Sequence, residues 1–114
     1  MSGQSLIKGS DGGLALVTGE WSQDKHDYIH RLANIFSTGM KNRSKFRCFI
    51  DLLAGPGLCV IEGTQTEFFG SPLQAINIRD RFTNYYFNDI NPGSITSLRT
   101  RVANLTTPPV PHYF

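Results

Sequence analysis

The chain has 114 residues, 39% hydrophobic and 18% charged, with 11 basic against 9 acidic side chains and a formal net charge of +2. That composition excludes a disordered or strongly charged chain, leaves room for one hydrophobic core and not two, and offers no basic patch of the kind that binds a phosphate backbone. No stretch approaches the roughly 20 apolar residues of a membrane helix, and the opening MSGQSLIKGSDGG lacks the apolar centre of a signal peptide.

Residues 1–13 hold four glycines and three serines without a hydrophobic period, which predicts a loose N-terminal arm over 1–20 that gains order around Leu14 to Val17. From Trp21 onward Tyr28, Ile29, Leu32, Ile35, Phe36 and Met40 recur at helical spacing, predicting an amphipathic helix of about four turns. Ser22 is its expected N-cap, Asp24 suits its positive end, and Lys41, Arg43 and Lys45 suit its C-terminus. Phe46 to Leu53 is too short for a helix and reads as a strand buried on both faces, with Cys48 as a small core residue. The loop Ala54-Gly55-Pro56-Gly57 follows, then a hairpin over Leu58 to Phe69 turning at Gly63-Thr64. Gly70-Ser71-Pro72-Leu73 supplies a capping serine and a proline at the first helical position, so a second helix is expected to about Arg81. Tyr85-Tyr86-Phe87 reads as a second core strand. Asn91-Pro92 repeats the cap signal before a third helix carried by Ile95, Leu98, Val102 and Leu105, and Pro108, Pro109 and Pro111 mark a tail over 108–114.

The order helix, strand, glycine loop, hairpin, helix, strand, helix predicts an α/β fold with parallel strands joined by a crossover, a βαβα unit over residues 21–107. Such a unit is about half of a doubly wound sheet, so the sequence reads as a fragment of a larger domain, with exposed sheet edges available for self-association.

Ligands of doubly wound sheets bind outside the carboxyl ends of the strands. Asp51 closes the first predicted strand, Gly55 and Gly57 flank Pro56 in the loop after it, and Asp89 follows the second strand 38 positions later. A carboxylate in that second place can accept two hydrogen bonds from a ribose diol. The loop does not complete a GxGxxG pattern, since Val60 stands where the third glycine would be and no helix is predicted there. A pyrophosphate therefore lacks its helix N-terminus, which disfavours NAD and favours a nucleoside such as S-adenosylmethionine, whose ammonium Asp51 can attract.

Trp21, Asp24-Lys25-His26, Met40-Lys41-x-Arg43, Phe49-Ile50-Asp51-Leu52-Leu53-Ala54-Gly55-Pro56-Gly57-Leu58-Cys59, Gly70-Ser71-Pro72-Leu73 and Phe87-Asn88-Asp89-Ile90-Asn91 occur in this order. Over about Trp21 to Leu105 this arrangement resembles the N-terminal part of the three-Cys-motif partner (TcmP) proteins. The resemblance implies a Rossmann-like fold of class I S-adenosylmethionine-dependent methyltransferases, truncated here to its first βαβα half behind an amphipathic helix. It implies a cofactor loop of Asp51, Ala54, Gly55, Pro56 and Gly57, a ribose-binding Asp89, and a three-Cys-motif protein as partner. The strands that would follow in a family member, and the substrate-facing motif after the fourth of them, are not in this sequence. A non-catalytic interaction or regulatory fragment working with such a partner is the alternative.

The other chemical side chains read as structural. His26 falls on an exposed helix face, and His30, His112 and two distant cysteines make no metal site. Ser71 precedes a proline and reads as a cap rather than a nucleophile. Cys48 and Cys59 form no CxxC pair, which fits reduced thiols and a cytoplasmic protein.

Overall fold

The computed structural model describes residues 5–19 and 21–114. Among these the chain is mixed α/β, in the order β1 (Leu6–Lys8), β2 (Leu14–Thr18), α1 (Trp21–Met40), β3 (Cys48–Asp51), β4 (Leu58–Ile61), β5 (Glu67–Phe69), α2 (Ser71–Ile76), β6 (Asn84–Phe87), α3 (Pro92–Ala103) and β7 (His112–Tyr113). The strands make two sheets, ordered β1-β2-β4-β5 and β3-β6-β7.

The second sheet is parallel throughout, with Phe49 opposite Tyr85, Asp51 opposite Phe87, and Tyr86 opposite His112. Because side chains alternate along a strand, Phe49, Tyr85, Phe87 and Tyr113 share one face, where they pack with Leu73 and Ile76 of α2 and Leu98 and Val102 of α3. Tyr85 is buried with its hydroxyl satisfied: it donates to the Ala75 carbonyl at 2.9 Å and accepts from the Phe82 N–H at 3.2 Å. Burial pushes its phenol above the ordinary value.

The expectation of a first strand buried on both faces is corrected here. Cys48 and Ile50 point to the other side of the sheet and are exposed, so Cys48 is not a core residue. On that side Tyr86 lies half-buried under His112, ring centroids 4.7 Å apart, with no helix laid across them among the described residues. A run of apolar residues gives no sign of whether both faces of its strand will find a cover.

The first sheet draws in the segment expected as a loose arm. β1 pairs antiparallel with β2, and β2 runs parallel to β4 with Leu16 opposite Cys59 and Val17 opposite Val60. The predicted hairpin is present as β4 and β5, antiparallel and turning at Gly63. Ala15, Leu58 and Val60 form a small core of their own between these strands. The tail expected over 108–114 likewise contains a strand, β7, parallel to β6.

Two helices differ from expectation. Helix α1 begins at Trp21 with Ser22 already inside it, and it turns its apolar stripe outward: Tyr28, Leu32, Ile35 and Phe36 are exposed. Among its described side chains Ser22, Ala33 and Ser37 are the buried ones. It contacts α2, and its polar side chains bond the segment from Gln74 to Asp80: His30 to the Gln74 carbonyl at 3.1 Å, Asn34 to the Arg79 N–H at 3.2 Å, and Thr38 to Asp80 at 2.9 Å. Small side chains let two helix backbones approach closely, and that contact decides which face of α1 turns inward. Helix α2 starts one residue earlier than the cap signal indicates, at Ser71, and stops at Ile76 rather than near Arg81. Gly70 is its N-cap and has no side chain to cap with, and the Ser71 hydroxyl, expected as the cap, donates to Asp51 instead. At α3 the cap signal holds: the Asn91 side chain accepts from the Gly93 and Ser94 N–H groups at 2.8 and 3.3 Å. No helix among the described residues is long and apolar enough to cross a membrane.

Candidate functional site

The carboxyl ends of β3 and β6 lie side by side, and two backbone hydrogen bonds extend their pairing into the loops beyond: Asn88 N–H to the Asp51 carbonyl and Ala54 N–H to the Asn88 carbonyl, both 2.9 Å. This brings the glycine loop and Asp89 together. The Asp89 carboxylate accepts from the Gly55 N–H through Oδ2 and from the Asn91 N–H through Oδ1, each at 2.9 Å. Each oxygen thus keeps a lone pair free on a carboxylate whose orientation is already set.

The two glycines differ in what they require. Both have positive φ, 68° at Gly55 and 87° at Gly57, a region other residues enter at a cost. A Cβ on Gly57 would lie 2.8 Å from Leu98 Cδ1, so this glycine is also needed for packing against α3. A Cβ on Gly55 would meet nothing within 4 Å. Gly55 therefore has open space beside it, and it lines a cleft of about 260 Å³ together with Leu6, Leu16, Leu53, Pro56, Asp89, Ile90, Asn91 and Ser94.

Asp51 and Ala54 are not among the residues that line this cleft. Asp51 accepts from the Leu53 N–H at 3.2 Å and from the Ser71 hydroxyl, tying the end of β3 to the start of α2. Ala54 is buried. Pro56 is buried as well, and its carbonyl accepts from Arg101 at 2.7 Å.

Arg101 is a residue the sequence reading passed over. It is 7% exposed, it donates to the Leu14 carbonyl as well as to Pro56, and its other nitrogens grip Asp11 in a two-pronged pair at 2.8 and 2.9 Å. That guanidinium holds the Asp11 carboxyl down at about 2, below the usual carboxylate range. The signal for it was its place on the apolar stripe of α3, three positions after Leu98 and just before Val102, where a charge must find partners. Asp11 sits in Ser10-Asp11-Gly12-Gly13, a turn sequence between two strands too short to show a period.

The remaining candidates have structural settings. Cys59 is buried, and burial pushes its thiol up to about 11, which leaves it protonated and inert. His26 packs on Phe68 with ring centroids 5.5 Å apart, its Nδ1 lying 2.8 Å from the Ser22 carbonyl of its own helix. Among the described residues no three His, Cys, Asp or Glu side chains gather as a metal site.

The chain following Gly57 runs directly into β4, and the next helix does not start until Ser71. The glycine loop is therefore followed by a strand, and no helix N-terminus faces a pyrophosphate there. No family model, no curated protein and no solved structure matches this chain.

Proposed function

We propose that the chain is an S-adenosylmethionine-binding, methyltransferase-like protein of the three-Cys-motif partner type, with β3, α2, β6 and α3 as the first half of a Rossmann-like sheet. The observation that carries this reading is the cleft at the ends of two parallel strands, where Gly55 leaves open space beside a carboxylate that still has accepting capacity. A nucleoside fits such a site: Asp89 would accept from the ribose hydroxyls, and the absent Cβ of Gly55 would let the ligand approach the backbone. Bound there, S-adenosylmethionine would supply a transferable methyl group on its sulfonium. The chain's part would be to hold and orient it, since Asp89 is the one ionisable side chain among the described residues lining the cleft. Asp51, engaged by Ser71 and Leu53, would support the loop and contribute negative charge toward the methionine ammonium.

Calorimetric titration of the protein with S-adenosylmethionine and, separately, with NAD tests the reading. Binding of the first and not the second is expected, and the reverse result would overturn the assignment. Asp89→Ala should weaken S-adenosylmethionine binding about tenfold or more. Asp89→Asn removes the charge and keeps an acceptor for one of the two loop N–H groups, so a smaller loss than with Asp89→Ala would measure the share of binding that runs through loop structure.

A second reading, an interaction module working with a three-Cys-motif protein, is favoured by a different observation. Exposed apolar side chains crowd two places, the outer stripe of α1 and the stretch around β3 that holds Phe46, Ile50, Leu52 and Leu53. Co-purification of the two proteins, lost on Leu32→Glu with S-adenosylmethionine affinity unchanged, would favour that role.

A further inference from the structure

Leu6 and Leu16 stand directly opposite each other across the β1–β2 pair, so both side chains leave the hairpin on the same face. That face is turned to the cleft, where the two leucines line the space together with Pro56 and Ile90, whose side chain is 96% exposed. The hairpin is not free to drift from this position. Arg101 holds its turn through Asp11 and its second strand through the Leu14 carbonyl, and the same guanidinium holds the glycine loop through the Pro56 carbonyl. The Ser97 hydroxyl accepts from the Leu14 N–H at 2.9 Å, and the pairing of β2 with β4 fixes Leu16 against the strand that leaves the loop. One wall of the cleft is thus apolar and anchored to the loop, and the same lining carries the polar side chains of Asp89, Asn91 and Ser94.

We infer that Leu6 and Leu16 of the N-terminal hairpin, with Ile90, form the slot for a flat heteroaromatic base, the adenine of the nucleoside whose ribose Asp89 would hold. This rests on the nucleoside reading of the cleft given above. Apolar side chains on a base's face add contact area and exclude water, while Asp89 and the Gly55 backbone set orientation, which is the usual division of labour in small-molecule sites.

The test uses the whole chain with methyl-labelled leucine, titrated with adenosine and with S-adenosylmethionine. A ring seated on the wall should move the Leu6 and Leu16 methyl resonances upfield with both ligands, and Leu16→Ala should weaken both affinities by a similar factor, about five- to tenfold. The resonance shifts are read on the wild-type protein, so the inference remains testable where Leu16→Ala fails to fold. If S-adenosylmethionine binds while both leucine methyls stay in place and Leu16→Ala binds as well as wild type, the slot is wrong and the cofactor reading stands. If adenosine moves the methyls but S-adenosylmethionine does not bind, the slot stands and the cofactor reading falls. If neither ligand binds the wild-type protein, both are overturned.

Discussion

The two faces of the parallel sheet β3-β6-β7 are built from the same few residues and have opposite fates. On one, Tyr85 and Phe87 are 2% and 0% exposed beneath α2 and α3; on the other, Ile50 is 62% exposed and Cys48 is open to solvent. Parallel sheets usually bury both faces, so the cohesion of this one is concentrated on a single side. The glycine loop belongs to the cohesive side as well, because Gly57 packs on Leu98 of α3 and Arg101 of the same helix holds Pro56. The candidate cleft therefore inherits its rigidity from the buried face and nothing from the bare one.

That asymmetry can be broken by substitution, with stability read by denaturant unfolding. Phe87→Ala, which empties the centre of the covered face, should cost about 4 kcal/mol. Arg101→Met keeps most of the side chain's bulk but leaves the Pro56 and Leu14 carbonyls without a donor, and should cost about 3 kcal/mol. Acid provides a smaller test of the same anchor. The Asp11 carboxyl is held at about 2 against an ordinary 3.8, so its contribution is complete above pH 3.8 and is lost as the pH falls toward 2. With the carboxylate half exposed to solvent, that contribution is about 1 kcal/mol, and Asp11→Asn should abolish this part of the pH dependence in acid unfolding curves. Ile50→Ser on the bare face should change stability by no more than about 0.5 kcal/mol. A cost near that of Phe87→Ala would mean that the bare face is covered in solution.

Where the sequence was informative, the signals were local. Asn91-Pro92 marks the start of α3 because an amide side chain and a proline act within one turn, and the β4–β5 hairpin announces itself through Gly63 between two apolar runs. The parallel pairing of β3 with β6 followed from alternation of elements. Other features depend on partners distant in the chain. β1 has three residues and β7 has two, too few for a period, and each is defined by the strand it joins. For α1 the period was read correctly while the face was not: Ala33 and Ser37 turn inward and the apolar stripe turns outward, because the contact with α2 selects small side chains. Ser71 shows the same limit on a smaller scale, since its hydroxyl serves Asp51 of β3 rather than its own helix. In the candidate site, Gly55, Pro56 and Asp89 were legible as a loop and an acid after successive strands. Leu6, Leu16 and the Asp11–Arg101 pair were not, because what joins them to the cleft is the fold of residues some 90 positions apart.

The placement of the two cysteines gives the molecule a pair of chemical reporters. A maleimide added to the folded protein should attach at Cys48 alone, and its rate there will fall whenever anything covers the bare face of the sheet. Cys59, shielded in β4 and protonated, should react only when the strands around the glycine loop part. Counting labels per chain over time would thus follow docking at one surface and opening at the other in a single experiment, with no residue introduced for the purpose.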